Sequence, residues 1–261
     1  MVLDLTEILQ SLDLGKISVS QAKKLLSLYS VEEIEDFAKI DISRKLRRGI
    51  PEVIFAEKKE LVDIKKIILT TTSKAGSVLV SRIHKDHYGK ILTFSKKNKL
   101  KIHTGKNTTT ILFSPKLHFT GGKVGILTAG TSDIGVAEEA RLMCESMGCQ
   151  CICSYDIGIA GIHRLFPVIK KVICEEVDVI IVVAGMEGAL ASVVSSLVDI
   201  PVIGVPSSVG YGYGEKGIAA LASMLQSCTL GLSVVNIDNG IGAGAFAANV
   251  ANRSVQKKTR S

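Results

Sequence analysis

Two rhythms of apolar and polar positions divide the chain near Gly121-Gly122. From residue 123 onward, short unbroken runs of β-branched residues alternate with stretches whose apolar positions recur every three or four residues. Val124–Thr128, Cys149–Tyr155, Val179–Ala184, Pro201–Val205 and Leu232–Asn236 read as strands. Ile134–Met147, Arg164–Glu176, Ala189–Val198, Lys216–Gln226 and Gly242–Asn252 read as helices. Strands without polar alternation are buried on both faces. Five of them separated by helices predict an α/β fold, a doubly wound and mainly parallel sheet of five or slightly more strands. Ligands of such sheets sit beyond the carboxyl ends of the strands.

The earlier part of the chain is lysine-rich and poor in glycine. Leu5, Ile8, Leu9 and Leu12 share one helical face, and Ser18 and Ser20 precede a second apolar face at Ala22, Leu25 and Leu26. A third short helix is expected over Asp41–Arg48, stopped by Gly49 and Pro51. Val53–Phe55 reads as a strand, Leu61–Thr71 as a helix, and Val78–Val80, Ile91–Phe94 and Thr110–Phe113 as strands. The expected organisation is a helical and mixed α/β domain over 1–120, a main domain over 121–253, and a frayed basic tail over 254–261.

Composition narrows the function classes. Hydrophobic residues make up 46% of the chain, which supports a sizeable core and excludes global disorder. The apolar runs fall short of the ~20 residues a membrane helix needs. The opening MVLDLTEILQ lacks the basic start of a signal peptide, so a cytoplasmic location is expected. The net charge of +7 is uneven: residues 1–122 hold 22 Lys and Arg against 13 Asp and Glu, and the remainder 10 against 12. A basic half can meet nucleic acid or an anionic ligand. With no aromatic interleaving or nucleic-acid motif beside it, a solvated lysine-rich surface is the plainer reading. Cys149, Cys151 and Cys153 would share one strand face, which suits buried free thiols better than a disulfide or zinc site. His84 and His87 alone make a poor metal site.

The candidate chemistry gathers at the predicted strand ends. Gly130-Thr131-Ser132-Asp133 can hold a phosphate on backbone N–H groups, or simply cap a helix. Asp156 to His163-Arg164 offers a proton shuttle or anion site at a helix start, or ordinary helix packing. Gly185-Met186-Glu187-Gly188 places a carboxylate between glycines, where it can act as a base or complement the helix dipole. Pro206-Ser207-Ser208 opens a glycine-rich loop with Tyr211 and Tyr213, suited to closing over a ligand. Ser227-Cys228 precedes the last strand, and Asn236, Asp238 and Asn239 follow it. Nothing in composition singles out Cys228 among the six cysteines.

GTSD at 130–133, DIGIAGIHR at 156–164, AGMEGAL at 184–190, PVIGVPSSVGYG at 201–212, Ser227-Cys228 and NIDNGIGAGA at 236–245 occur here in an order that resembles the LarB family. The segment from Lys45 to Val53 also matches. The likeness is strong over 123–252 and weaker before it. Ala191 stands where that family has a proline. A more distant resemblance is to the purine-pathway aminoimidazole ribonucleotide (AIR) carboxylases of the PurE type. Those share the turn after the first strand, His-Arg after the second and the PVxGVP segment, but have a His-Leu-Pro turn where Gly185 to Leu190 stands.

The resemblance implies a flavodoxin-like PurE-type domain and a carboxylase/hydrolase of nickel-pincer cofactor synthesis. Its substrates would be nicotinic acid adenine dinucleotide and carbon dioxide or bicarbonate, with Mg²⁺ as cofactor. It implies Cys228 as covalent nucleophile and Glu187 as the carboxylate that removes a proton or places water or metal. Gly130, Thr131, Ser132, Asp133, Asp156, His163, Arg164, Gly185, Met186, Ser207, Ser208, Asn236, Asp238 and Asn239 would bind substrate, and the basic N-terminal half would meet the adenylate. It further implies a homo-oligomer, since relatives form octamers; the small residues of the last helix would suit contacts between subunits. No membrane or nucleic-acid partner is expected. The alternatives are an AIR carboxylase of purine synthesis and a nucleotide-binding module without turnover.

Overall fold

The computed structural model describes residues 5–26, 32–34, 38–40 and 48–258. Two helices come first, α1 (Leu5–Asp13) and α2 (Val19–Leu26), followed by an antiparallel pair, β1 (Glu32–Ile34) and β2 (Ala38–Ile40). Residues 41–47 of the expected third helix lie outside the described residues.

A four-stranded sheet of order β3-β4-β6-β5 is then built from β3 (Val53–Phe55), β4 (Val78–Ser81), β5 (Ile102–Thr104) and β6 (Ile111–Phe113), with α3 (Leu61–Ala75) and α4 (Lys85–Lys97) between strands. The expected strand at Ile91–Phe94 is instead the middle of α4. Tyr88, Ile91, Leu92 and Ser95 fall at helical spacing, Asp86 lies in the first turn and Lys96 and Lys97 in the last, so the apolar run is part of a stripe rather than a strand. Ile91 and Ser95 are the buried members of that stripe. The strand β5 was not predicted: it is three residues long and only half-buried, too short for a period to register.

The main sheet follows the alternation read from the sequence. Its strands are β7 (Lys123–Thr128), β8 (Gln150–Ser154), β9 (Val179–Ala184), β10 (Val202–Pro206) and β11 (Leu232–Val234). All pair in parallel, in the order β11-β10-β9-β7-β8. The helices are α5 (Ile134–Ser146), α6 (Leu165–Cys174), α7 (Ala189–Leu197), α8 (Ile218–Leu225) and α9 (Gly240–Lys258). This is the flavodoxin-like doubly wound fold. Two expected helix starts move: residues Ile159–Arg164 and Gly212–Gly217 form 3₁₀ turns, with α6 and α8 beginning after them. At the other end, α9 runs on to Lys258, so most of the expected frayed tail is helical.

The central strand β9 shows why the pattern was readable. Val179, Ile181 and Val183 face one core with α5 and α9, while Ile180, Val182 and Ala184 face the other with α6 and α7. Each side chain leaves water in alternation along an extended chain. The glycines of α9 also find their reason here. A Cβ on Gly244 would sit 2.6 Å from the Ala140 carbonyl, and one on Gly240 2.2 Å from that of Val136. Gly240 and Gly244 therefore serve close packing on α5 within the chain. Among the described residues no helix is long and apolar enough to cross a membrane.

Candidate active site

The strand order reverses between β7 and β9: β8 lies on one side of β7 and β9 on the other. Crevices form at such switch points. The loops after these two strands diverge to open a cavity of about 270 Å³, lined by Gly130, Ser132, Asp133, Gly158, Ile159, Met186, Glu187, Leu190 and Val209, among others.

Asp133 forms the floor. Its Oδ1 accepts a hydrogen bond from the buried Ser207 hydroxyl at 2.5 Å, and its Oδ2 accepts the Gly130 N–H at 2.8 Å. Burial pushes this carboxyl above the ordinary aspartate range. The bonds from Ser207, Gly130 and the Gly185 backbone oppose that rise, and nearby Asp238 adds to it. A buried carboxyl with a raised pKa in a cleft is a candidate proton acceptor.

The mouth is made by residues 185–188. Met186 has φ +49° and Gly188 φ +66°, so the chain turns sharply into α7. Gly185 is required by packing: a Cβ there would lie 2.0 Å from the Val209 carbonyl oxygen, which accepts the Met186 N–H at 3.0 Å. The turn leaves Met186 and Glu187 exposed at the rim. Thr131 is exposed on the opposite turn.

The remaining predicted site residues fall elsewhere. His163 and Arg164 are exposed; Arg164 Nη1 donates to Asp156 Oδ2 at 2.9 Å, and it is Gly158, Ile159 and Ala160 of this loop that line the cavity. Asp156 holds φ +59°, so the pair fixes the loop that carries the lining residues. Ser208 and Asp238 join across the next crevice, where the Ser208 N–H donates to Asp238 Oδ1 at 2.8 Å. Asn239 accepts the Gly242 N–H at 2.9 Å and so caps α9, while Asn236 accepts the Ile237 N–H at 2.9 Å. Both asparagines thus have a local structural job.

The cysteines separate by environment. All six are free thiols. Burial pushes Cys149 up to about 12 and Cys153 up to about 11. Cys151 rises too, through its contact with Cys144 and through burial. Cys144 and Cys149 are buried, leaving Cys174 and Cys228 as the exposed thiols. Cys228 lies between α8 and β11; Ser227 beside it bonds the Ser192 hydroxyl at 2.8 Å. Leu232, the first residue of β11, pairs with Val202, the first of β10. Cys228 therefore approaches the amino edge of the sheet and is not among the residues lining the cavity of its own chain.

A second crevice takes in the predicted Ser132, Ser208 and Asp238, while its other wall was not foreseen. It measures about 920 Å³ and shares Ser132 and Val209 with the first. Arg82, His84, Lys85 and Asn107 wall it on the side of the four-stranded sheet, and Glu139, Ser208 and Asp238 on the other. Glu138 and Glu139 join the two sides. The Lys106 N–H, Arg141 and the Tyr155 hydroxyl bond Glu138, while Ser81 and Thr110 donate to Glu139 Oε1 at 3.0 and 2.9 Å. Burial works to raise Glu138, but these partners hold it below the usual range; burial raises Glu139 despite its own bonds. The only signal in the sequence was a pair of acids amid the core spacing of a helix.

Among the described residues no group of three or more His, Cys, Asp or Glu side chains could hold a metal ion. This donor set makes no protein cage for the expected Mg²⁺.

The AIR carboxylase family profile matches residues 123–260, and that of the LarB/PurE-like N-terminal domain matches 31–111. An uncharacterized protein of Methanocaldococcus jannaschii is 47% identical, over 95% of this chain and 97% of its own length. The N5-carboxyaminoimidazole ribonucleotide mutases of Thermotoga maritima and Pyrococcus horikoshii are 30% and 31% identical, each over 49% of this chain and 74% and 71% of their lengths. The chain belongs to the AIR carboxylase family, as a LarB-type member that carries the LarB/PurE-like N-terminal domain ahead of its PurE-like catalytic domain.

Proposed function

We propose that the protein carboxylates C5 of the pyridinium ring of nicotinic acid adenine dinucleotide and cleaves its phosphoanhydride. The products are pyridinium-3,5-biscarboxylic acid mononucleotide and AMP, the first step of nickel-pincer cofactor synthesis. The observation that carries the reading is an exposed thiol, Cys228, in a chain whose switch-point cavity is faced by two carboxylates, Asp133 and Glu187.

A cationic pyridinium cannot attack carbon dioxide. The Cys228 thiolate adds to C4, and the ring electrons move to nitrogen, leaving an enamine that is nucleophilic at C5. C5 forms a bond to carbon dioxide. A base then takes the C5 proton, the enamine reforms, and the C4–S bond breaks to restore the aromatic ring and the thiolate. The buried Asp133, with its raised pKa, is the better base for that proton, because its charged form is poorly solvated. Glu187, exposed at the rim, suits the water that cleaves the anhydride.

Within one chain the sulfur approaches the sheet edge opposite the cavity. The thiol serving a cavity therefore comes from a second copy. Leu225 and Leu230, on either side of Cys228, are 65% and 93% exposed, and Met186 and Val209 at the rim are exposed as well. Exposed apolar side chains beside the thiol and at the rim suit contacts between proteins.

Mass spectrometry of the products from the dinucleotide and ¹³C-bicarbonate tests the whole reading. Labelled biscarboxylic mononucleotide and AMP are expected; unchanged dinucleotide removes the proposal. Turnover of carboxyaminoimidazole ribonucleotide in a parallel assay would instead place the chain with the mutases. Glu187→Gln is expected to slow formation of AMP at least ~10²-fold. An unaltered rate would return Glu187 to a structural part.

A further inference from the structure

Glu138 is almost fully buried, and no step of the proposed chemistry uses it. Its carboxylate is met from several sides. Arg141 Nε and Nη2 donate to Oε2 at 3.0 and 2.8 Å, and the Lys106 N–H donates to the same oxygen at 3.1 Å. The Tyr155 hydroxyl donates to Oε1. Burial works against the charge, but these donors outweigh it and hold the carboxyl below the usual range. Charge-assisted bonds of this kind fix geometry more firmly than neutral ones.

The donors come from different parts of the fold. Lys106 belongs to the hairpin between β5 and β6, and Arg141 Nη2 also donates to the Thr104 carbonyl of that hairpin at 3.0 Å. The contact is tight: a Cβ on Gly105 would lie 2.7 Å from Glu138 Oε2 and 2.8 Å from Glu138 Cβ. Tyr155 stands directly after β8 and directly before Asp156, whose φ of +59° starts the turn. The Ile157 and Gly158 N–H groups then donate to the Thr128 and Ala129 carbonyls at 3.0 and 2.8 Å, and Gly158, Ile159 and Ala160 line the switch-point cavity. A hairpin of one sheet and a cavity wall of the other therefore share one buried carboxylate.

We propose that Tyr155 is a positioning residue: its bond to Glu138 sets the cavity wall at 158–160 from the N-terminal hairpin. Gly105, on the far side of Glu138, then acts on the chemistry without touching substrate. This rests on the carboxylation reading above. The wall faces the pyridinium ring alone, since a cavity of about 270 Å³ leaves most of a dinucleotide outside it. A displaced wall disturbs the alignment of C5 more than the binding of the whole substrate, so the loss falls on kcat rather than KM.

Steady-state kinetics and hydrogen exchange on the full chain test it, with Tyr155→Phe and Gly105→Ala. Each variant is expected to lower kcat for carboxylation about ten-fold while KM for the dinucleotide stays within about two-fold. The double variant should be no slower than the slower single, because both changes act through Glu138. Exchange of the Ile157 and Gly158 amides should speed up about ten-fold in both variants without any substrate present. Tyr155→Phe removes one oxygen and keeps the ring in place; should Gly105→Ala fail to fold, Tyr155→Phe decides alone. A wild-type kcat in Tyr155→Phe, a loss that falls on KM, multiplied losses in the double variant, or unchanged amide exchange overturns the proposal. If the amides loosen as expected while wild type never carboxylates the dinucleotide, the coupling stands and the carboxylation reading falls.

Discussion

Cys228→Ser is expected to abolish carboxylation, and mixing that inactive protein with inactive Asp133→Asn protein is expected to restore it. The first half follows from the chemistry. Serine's hydroxyl is not ionised at neutral pH and adds poorly to an aromatic cation, so the enamine never forms. A difference band from the dearomatised ring, present when wild type meets the dinucleotide, should vanish in the variant. The second half follows from the fold. If each cavity takes its thiol from a neighbour, a mixed assembly pairs an intact cavity with an intact thiol in up to about a quarter of its sites. Subunits must exchange, so the two variants are best co-expressed. Activity that stays at zero in the mixed assembly would mean that sulfur and cavity belong to one chain. Full activity in Cys228→Ser alone would remove the covalent step altogether.

The fold was legible because the main sheet is buried on both faces. Val179 to Ala184 could be read as a central strand without any partner in view, since no position along it tolerates a polar side chain. The strand-end turns were legible for a related reason: Gly130 to Asp133 and Gly185 to Gly188 leave the core abruptly, and close approach at Gly185 and Gly188 needs small residues. Short elements in the N-terminal half were harder. At Ile91 to Phe94, three apolar residues in four fit a strand as well as a helix, and the surrounding stripe decides. Site residues divided in the same way. Those on the two switch-point turns lie at one cavity, because topology alone brings those turns together. Glu139 was invisible, because its bonds to Ser81 and Thr110 arise from how one sheet docks on a helix of the other. His163 was named for its chemistry, and the local path of residues 159–164 leaves it exposed in the single chain.

Asp133→Asn should slow carboxylation about 10²- to 10³-fold and, at the same time, change how stability depends on pH. The carboxylate of wild type is held where burial disfavours its charge, so its pKa in the fold lies above the ordinary 3.8. A group raised in the folded state contributes stability that is fully present below its unfolded value and is lost as pH rises through the folded value. Asparagine carries no such charge. The Tm of the variant minus that of wild type should therefore move in the variant's favour as pH rises from about 4 to about 8, and most of the change should fall just above the ordinary aspartate range. Thermal melts across that range decide it. A constant difference would show that Asp133 keeps its normal affinity for protons, and it would then be no better a base than the exposed Glu187. Retained activity together with the pH-dependent gap would mean that the fold bears the cost of a buried charge for some purpose other than taking the C5 proton. A lost rate and a sloping gap together would tie that cost to the chemical step, which is the trade expected where a site sacrifices stability for a stronger base.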